Sequence, residues 1–302
     1  MTRALRRLPR PFRALLRGVL HYLQRLGRWI IILRQIRGAG WRDELRLLAS
    51  ALAAPATALR GLTGWQDPIL LFDARVVLKD VGTFEVRRLT DDLWHVLPWR
   101  EHGIFRAMRT LLRPGDILVD AGANIGVYTL LASRLVGPAG RVIAIEMMPD
   151  TAAILRRHVR ENGCGNVEIV ERALSDRTDD IVVARVPAGR HGQASIALRE
   201  TPGAQVAHRE VRTITLDDAC RGIDRIRLMK LDLEGAELGA LAGGRSALTR
   251  TELVIFESHT AGSALTALFE KAGFDASQSL GKDRLARRLA AGRGKSASSK
   301  RR

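Results

Sequence analysis

The sequence predicts an α/β protein in which a parallel sheet is covered by helices on both faces. Five apolar runs alternate with helical stretches in the middle of the 302-residue chain; in order they are "DILVDAGA", "RVIAIE", "VEIVERAL", "IRLMKLDLE" and "ELVIFESH". Runs without polar alternation are typical of strands buried on both faces. Alternation of such strands with helices favours parallel pairing through helical crossovers.

The elements before and between these runs follow from local patterns. "RVVLKD" and "TFEVRRLT" predict short strands, and "EHGIFRAMRTLL" predicts a helix that ends at the turn "RPGD". "GVYTLLASRLVG" and "DTAAILRRHVRENG" predict the helices that follow the first and second runs. After Phe274 the sequence predicts little regular structure.

Charge divides the chain into three parts. Residues 1–42 contain 11 arginines and no acidic residue, and residues 282–302 contain nine basic residues and one acidic residue. The total net charge is +17, so the stretch between them is nearly neutral. We predict a basic amphipathic helical extension over 1–62, a folded domain over 63–280 and a basic, disordered tail over 281–302. The basic ends indicate an anionic partner, either a membrane or a nucleic acid.

The N-terminal extension predicts a long helix that begins near Pro9 and Pro11. Its apolar residues recur at three-four spacing with arginines between them; they are Phe12, Leu15, Val19, Tyr22, Leu26, Trp29, Leu33 and Ile36. A run of about 18 uncharged apolar residues is absent, so the helix is not predicted to span a membrane. We expect it to lie on an anionic membrane surface. The alternatives are packing on its own domain, dimerisation through the stripe, and a transit peptide.

Cysteine content indicates a reducing compartment. The chain has two cysteines, Cys164 and Cys220, which form neither a disulfide framework nor a CxxC metal clip. We therefore expect a cytoplasmic protein, peripheral on the inner face of the membrane if the helix binds there.

The segment "VDAGANIGVYT", residues 119–129, places Asp120 where a strand passes into a helix. Ligands of open α/β sheets bind at the carboxyl ends of the strands, and Gly122 and Gly126 would let a ligand approach the backbone. Glu146 ends the next apolar run, 20 residues after Gly126, where a carboxylate can accept both hydroxyls of a ribose. The segment therefore predicts a nucleotide-type site.

Two cofactors compete for this site. A dinucleotide site would have the pattern G-x-G-x-x-G, but Asn124 replaces the second glycine and Asp120 would repel phosphates. S-adenosylmethionine carries an ammonium and a sulfonium and no phosphate. The pattern favours S-adenosylmethionine, and the alternative is a buried strand end with no ligand.

Two further segments carry candidate catalytic residues. "LMKLDLEGAE" brings Lys230, Asp232 and Glu234 to one face if the strand continues, although these charges could simply pair with one another. "FESH" ends the fifth run with Glu257 and His259. The histidine could be a base, a metal ligand or a loop residue.

Together these segments resemble the FkbM family of S-adenosylmethionine-dependent methyltransferases. The matching segments run from about residue 117 to 259; they are "VDAGANIGVYT", "AIEMMPD", "NVEIVERALSD", "TITLDD", "MKLDLEGAE" and "FESH". Met147 departs from the pattern, because the family usually has proline directly after the glutamate. The resemblance implies a class I, Rossmann-like fold with a seven-stranded, mostly parallel sheet. It also implies O-methylation of a sugar, glycolipid or secondary metabolite.

The resemblance also assigns residues. The cofactor-binding residues would be Asp120, Gly122, Asn124 and Gly126 at the methionine end, Glu146 at the ribose and Ala173 beside the adenine. Asp232 would face the sulfonium and the acceptor. We predict Asp232 as the base, with His259 second and Glu234 beside them. A Mg²⁺ ion held by Asp232, Glu257 and the substrate is a less favoured alternative.

Two other functions remain open at this stage. The basic ends could bind the backbone phosphates of a nucleic acid if the protein is an RNA or DNA methyltransferase. Against this, the chain has no [DN]-P-P-[YFW] motif, and only 5% of its residues are aromatic. The third function is a non-catalytic membrane adaptor with a methyltransferase fold. The N-terminal helix itself favours a lipid-linked or glycolipid acceptor.

Overall fold

A computed structural model describes residues 10–59, 68–198, 205–257 and 262–289. The helices are α1 (Arg10–Gln35), α2 (Trp41–Leu59), α3 (Asp92–His95), α4 (His102–Leu111), α5 (Val127–Val136), α6 (Pro149–Glu161), α7 (Leu216–Ala219), α8 (Glu237–Ala242), α9 (Arg245–Thr249) and α10 (Gly262–Lys271). The strands are β1 (Ile36–Gly38), β2 (Ala74–Leu78), β3 (Gly82–Val86), β4 (Ile117–Ala121), β5 (Arg141–Ile145), β6 (Val167–Val170), β7 (Ala173–Leu174), β8 (Ile181–Pro187), β9 (Val206–Ile214), β10 (Ile226–Leu231), β11 (Thr251–Glu257), β12 (Phe274–Ser279) and β13 (Asp283–Arg288). Two 3₁₀ turns cover Pro98–Glu101 and His191–Gln193.

The central sheet has seven strands in the order β12-β13-β11-β10-β4-β5-β6. The five apolar runs form the parallel strands β4, β5, β6, β10 and β11. β13 pairs antiparallel with β11, and β12 pairs antiparallel with β13 at the edge. The predicted α/β fold with a mostly parallel sheet is confirmed.

Both faces of the sheet are buried, which explains why its strands are apolar throughout. Leu118 of β4 packs in a cluster with Met108 of α4 and Leu130 of α5. The next residue, Val119, packs on the opposite face in a cluster that includes Phe269 of α10. Because successive side chains of a strand point to opposite faces, both positions must be apolar.

The predicted N-terminal extension is built into the domain. β1 pairs antiparallel with β2, with Ile36 opposite Leu78, so a three-stranded sheet crosses the predicted boundary at residue 62. Trp29 is only 2% exposed, and Ile36 is fully buried. The part of the predicted apolar stripe that lies near the end of α1 therefore packs on the domain. Val19, which is earlier in the same stripe, is 46% exposed. Among the described helices, none combines the length and the apolar content that a membrane span requires.

The prediction that regular structure ends near Phe274 is wrong. β12 and β13 form a hairpin on the sheet, and β13 lies inside the stretch that we predicted as a disordered tail from 281. The segment "DRLARR" looked like part of a basic tail, but it contains one apolar pair, Leu285 and Ala286, which is buried on β13. Residues 290–302 lie outside the described residues.

A small sheet with the order β7-β9-β8 lies beside the central sheet. The chain after β8 returns toward the carboxyl ends of the central strands, where Ser195 pairs with Arg185. The Ser195 hydroxyl donates a hydrogen bond of 3.3 Å to the carbonyl oxygen of Leu233, just beyond β10. This contact ties the small sheet to the edge where the candidate site lies.

Candidate active site

An open cavity of about 950 Å³ lies at the carboxyl ends of β4, β5 and β10. The predicted site residues that line it are Gly122, Asn124, Gly126, Glu146, Ala173, Asp232 and Glu234. Asp120 does not line it, and the predicted His259 lies outside the described residues.

The turn after β4 is held in left-handed backbone conformations. Gly122 has φ of 81°, Asn124 of 50° and Gly126 of 94°. A Cβ atom on Gly122 would lie 1.9 Å from the carbonyl oxygen of Asp232, and one on Gly126 would lie 2.4 Å from the side chain of Leu155. These glycines were predicted to make room for a ligand. Their bare α-carbons also let the β4 turn pack against the end of β10 and against α6.

Asp120 is fully buried beneath this turn. Its Oδ2 accepts a hydrogen bond of 2.7 Å from the Thr129 hydroxyl, and its Oδ1 lies 3.9 Å from Nζ of Lys230. Burial raises the pKa of Asp120, against the opposing effect of the Lys230 ammonium. Because the carboxylate does not reach the cavity surface, it acts on the site through the lysine and the first turn of α5.

Glu146 lies at the end of β5, where its carboxylate faces the turn. Its Oε2 accepts a hydrogen bond of 2.9 Å from the backbone N–H of Asn124, and its Oε1 accepts one of 2.9 Å from that of Met148. Each carboxylate oxygen keeps a second lone pair for a ligand hydroxyl. Burial raises the pKa of Glu146 to about 7. This arrangement suits a group that donates two neighbouring hydroxyls.

Two features flank Glu146 in the cavity. The buried Ala173 and Leu174, which form β7, supply an apolar wall where the resemblance places the adenine. On the other side, the buried side-chain oxygen of Asn124 has no hydrogen-bond partner among the described residues. This oxygen is therefore available to accept a hydrogen bond from a donor group of a ligand.

Lys230 and Asp232 form an ion pair at the end of β10, in which the lysine is buried and the Asp232 side chain is 28% exposed. Nζ of Lys230 lies 2.9 Å from Oδ2 of Asp232 and 5.0 Å from the ring centroid of Tyr128. Burial disfavours the charged form of both side chains. The carboxylates of Asp232 and Asp120 nevertheless raise the pKa of Lys230, and Lys230 and Lys282 lower the pKa of Asp232 to about 2. Asp232 is therefore a fixed negative charge rather than a strong base.

Glu234 has the opposite environment only two residues further on. Burial and the neighbouring carboxylates of Asp232 and Glu257 raise the pKa of Glu234 to about 7. Its backbone has φ of 51°, a conformation that costs a non-glycine residue energy and that is found at functional sites. The Glu237 carboxylate holds this turn by accepting the N–H of Leu233 at 2.9 Å. A carboxylate with a pKa near neutrality has the property that a general base needs.

Sequence reasoning missed three residues that complete this end of the cavity. The Tyr128 hydroxyl donates a hydrogen bond to the Glu101 carboxylate. Nζ of Lys282 lies 2.9 Å from Glu101 and 3.3 Å from Glu257. Tyr128 belongs to the recognised "GVYT" segment, so its position could have been noticed. Lys282 had been assigned to the disordered tail.

His95 lies in the wall opposite these carboxylates. Its Nε2 is 3.4 Å from Oδ2 of Asp91, and its Nδ1 is 3.3 Å from a guanidinium nitrogen of Arg100. A Cβ atom on Gly192 would lie 2.1 Å from the same Nε2. Both ring nitrogens are therefore occupied by protein groups, and the imidazole acts as part of the wall.

Three carboxylates lie close together at this end of the cavity. Oxygens of Asp232, Glu234 and Glu257 lie within 4.8 Å of one another, which is a spacing that a cation could bridge. The ammonium groups of Lys230 and Lys282 already contact Asp232 and Glu257, respectively. The lysines therefore balance part of the negative charge of this group.

The fold and the cavity together define the class of protein. A seven-stranded sheet with an antiparallel edge carries its site at the carboxyl ends of β4, β5 and β10. The site has a carboxylate suited to a ribose and further carboxylates suited to a cationic cofactor. These are the features of a class I S-adenosylmethionine-dependent methyltransferase.

Comparison with known proteins gives the family. The model of the methyltransferase FkbM domain matches residues 120–276, just over half of the chain. The chain therefore belongs to the FkbM methyltransferase family.

Two relatives and one solved structure illustrate the similarity. The chain is 27% identical to the hexuronic acid methyltransferase AglP of Haloferax volcanii, over 56% of this chain and 67% of that protein. It is 33% identical to the 31-O-demethyl-FK506 methyltransferase FkbM of Streptomyces tacrolimicus, over 51% of this chain and 69% of that protein. A solved FkbM methyltransferase from Methylobacillus flagellatus is 17% identical with a TM-score of 0.39, over 65% of this chain and 54% of that one.

Proposed function

We propose that this enzyme transfers the methyl group of S-adenosylmethionine to a hydroxyl oxygen of a sugar, glycolipid or secondary metabolite. The observation that carries the proposal is the pair Asp232 and Glu234 at one end of the cavity. The pKa of the first is lowered to about 2 and that of the second is raised to about 7. Two carboxylates with separated pKa values can serve as a fixed charge and a proton acceptor.

The cavity residues fit the cofactor in three places. Glu146 has free lone pairs for the two ribose hydroxyls, and Ala173 provides an apolar wall for the adenine. The unpartnered side-chain oxygen of Asn124 suits the methionine ammonium. S-adenosylmethionine supplies an activated methyl group when it is bound.

Glu234 would take the acceptor's proton. As the hydroxyl oxygen forms its bond to the methyl carbon, the carbon–sulfur bond breaks and its electron pair stays on sulfur. The hydroxyl proton passes to the Glu234 carboxylate, whose pKa near neutrality suits a general base at physiological pH. Asp232 stays ionised and keeps negative charge near the cationic reactant. Lys230 holds it in place, so the chain contributes mainly by positioning.

Charges of both signs surround the acceptor end of the cavity. Carboxylates come from Glu101, Asp232, Glu234 and Glu257, and the cations are Lys230, Lys282, Arg100 and Arg172. The names of the two relatives agree with a small acceptor, since one names a hexuronic acid and the other an O-demethyl compound.

The test compares Glu234→Gln and Asp232→Asn with Glu210→Gln, which changes an exposed glutamate on β9. Transfer of labelled methyl would be measured on a hexuronic acid glycoside, a neutral sugar glycoside and an RNA transcript. We expect a sugar probe to be methylated, and Glu234→Gln to lower kcat by about 100-fold or more. Glu210→Gln should retain full activity. Methylation of RNA alone would reject the acceptor class, and full activity of Glu234→Gln would remove it as the base. Transfer to none of the three probes, by a protein that binds S-adenosylmethionine, would favour the non-catalytic adaptor.

A further inference from the structure

The first two helices expose apolar side chains away from the core. On α1 these are Leu20, Leu23, Ile30 and Ile31, and on α2 they are Trp41, Leu45, Leu48 and Leu52. We call this set the α1–α2 surface. Trp41 is 71% exposed and Leu52 is 81% exposed, so the largest groups of α2 face outward.

The apolar residues of α2 form two separate rows. Leu47, Ala51 and Ala54 are buried against the domain. The outward residues follow one another at intervals of four, three and four positions along the helix, which places them in a single row. Single exposed apolar residues are common on protein surfaces, but a continuous row on a helix that already buries another row indicates a partner.

Arginines accompany the α1–α2 surface. Arg34, Arg37 and Arg42 are exposed, and the Arg42 guanidinium lies 5.2 Å from the ring centroid of Trp41. Residues 1–42 contain no acidic residue; Asp43 and Glu44 follow in the first turn of α2, where Glu44 lies 3.5 Å from Arg37. Apolar rows with tryptophan and arginine beside them are typical of helices that lie in the interface of an anionic bilayer.

We propose that the α1–α2 surface docks this enzyme on an anionic lipid bilayer, with the helices lying in the headgroup region. The alternative occupant, a second copy of the chain, would bring two arginine-rich stretches together, and their like charges would repel. A nucleic acid would use the arginines and leave the apolar row exposed to water. A bilayer would bury the apolar row in its acyl region and bind the arginines with its anionic headgroups.

The docking surface shares a core with the cavity wall. Trp29 and Ile32 of α1 pack in the same hydrophobic cluster as Leu93 and Leu97. The segment between those leucines carries His95 into the cavity. A membrane-bound enzyme would thus hold its cavity at a fixed position relative to the lipid surface. This docking does not depend on the proposed methyl transfer, and it is tested by a separate measurement.

The experiment is flotation of the full chain with vesicles. Phosphatidylcholine vesicles containing phosphatidylglycerol would be compared with pure phosphatidylcholine vesicles. The test variant is the double substitution Leu45→Glu and Leu48→Glu, at positions that are exposed and need no repacking. The matched control places two glutamates at Ile181 and Val183, which are exposed on β8. Circular dichroism and titration with S-adenosylmethionine check that each protein is folded.

We expect the wild type and the β8 control to float with the anionic vesicles and to bind neutral vesicles more weakly. The α2 variant should bind at least about tenfold more weakly, because two leucines no longer enter the apolar layer. A folded wild type that floats with neither kind of vesicle would overturn the proposal. An α2 variant that binds vesicles as well as the β8 control would also overturn it. A lipid-free dimer that the α2 variant dissociates would also overturn it, in favour of self-association.

Discussion

Replacing Lys230 with methionine should destabilise the protein in a pH-dependent way. The Lys230 ammonium lies 2.9 Å from Asp232 and 3.9 Å from the fully buried Asp120. Lys230 is itself only 3% exposed, so its removal leaves two carboxylates without their main counter-charge. Breaking a fully buried ion pair costs about 3–5 kcal/mol, and the 28% exposure of the Asp232 side chain places the expected cost near the lower value.

The pKa of Asp232 gives an independent magnitude. Against the opposing effect of burial, Lys230 and Lys282 lower it from 3.8 to about 2. At about 1.4 kcal/mol per pKa unit, this shift stabilises the folded protein by roughly 2 kcal/mol. Because the folded-state pKa is depressed, the contribution is present above pH 3.8 and is lost as the pH falls through about 2. The wild type therefore keeps it throughout the neutral and mildly acidic range.

The assay is urea unfolding of wild type and Lys230→Met between pH 5 and pH 8. In the variant the unpaired carboxylates take up protons more readily, so its deficit in unfolding free energy should be largest at high pH and shrink as the pH falls. Lys79→Met, at an exposed position, is the control and should match the wild type at every pH. Adding Asp232→Asn to the Lys230 variant should restore part of the lost stability. A deficit below about 0.5 kcal/mol at pH 8, or one independent of pH, would refute this account of the ion pair.

Three further predictions follow from the site. Gly122→Ala should lower the unfolding free energy by about 2 kcal/mol or more in urea titration, because the new Cβ would clash with the carbonyl oxygen of Asp232. Gly163 also has a positive φ but has open space around it, so Gly163→Ala should lower the unfolding free energy by less. Affinity for S-adenosylmethionine should rise between pH 6 and pH 8. Burial raises the pKa of Glu146 to about 7, so the carboxylate ionises over this range and can accept the ribose hydroxyls. Calorimetry in buffers of different ionisation enthalpy should detect proton release on binding, and a pH-independent affinity would contradict this role. Lys282→Met should lower kcat without changing cofactor affinity, because its ammonium contacts two carboxylates at the acceptor end; unchanged kcat would count against its positioning role.

The central sheet could be predicted because its signals are local. Each parallel strand is a short apolar run, and the turn after β4 carries its glycines next to Asp120 and Asn124 in the sequence. The positions of Glu146 and Asp232 at the cavity follow from the same topology, since parallel strands bring their carboxyl ends to one edge.

Long-range contacts account for what was missed. β12 is a polar edge strand and β13 lies between it and β11, so the burial of Leu285 depends on long-range pairing and does not appear as an apolar run. Lys282 reaches the site only through that hairpin. The difference in pKa between Asp232 and Glu234 depends on charged groups from other parts of the chain, which no spacing within "KLDLEGAE" reveals.

The most direct test of the account is calorimetric titration of S-adenosylmethionine into wild type, Glu234→Gln and Glu146→Gln. We expect the ribose to bind at Glu146 and the acceptor at Glu234. Glu234→Gln should therefore bind the cofactor within about threefold of wild type, whereas Glu146→Gln should bind at least about tenfold more weakly, since two charge-assisted hydrogen bonds are lost. No binding by the folded wild type, or equal losses in both variants, would contradict this division of the cavity.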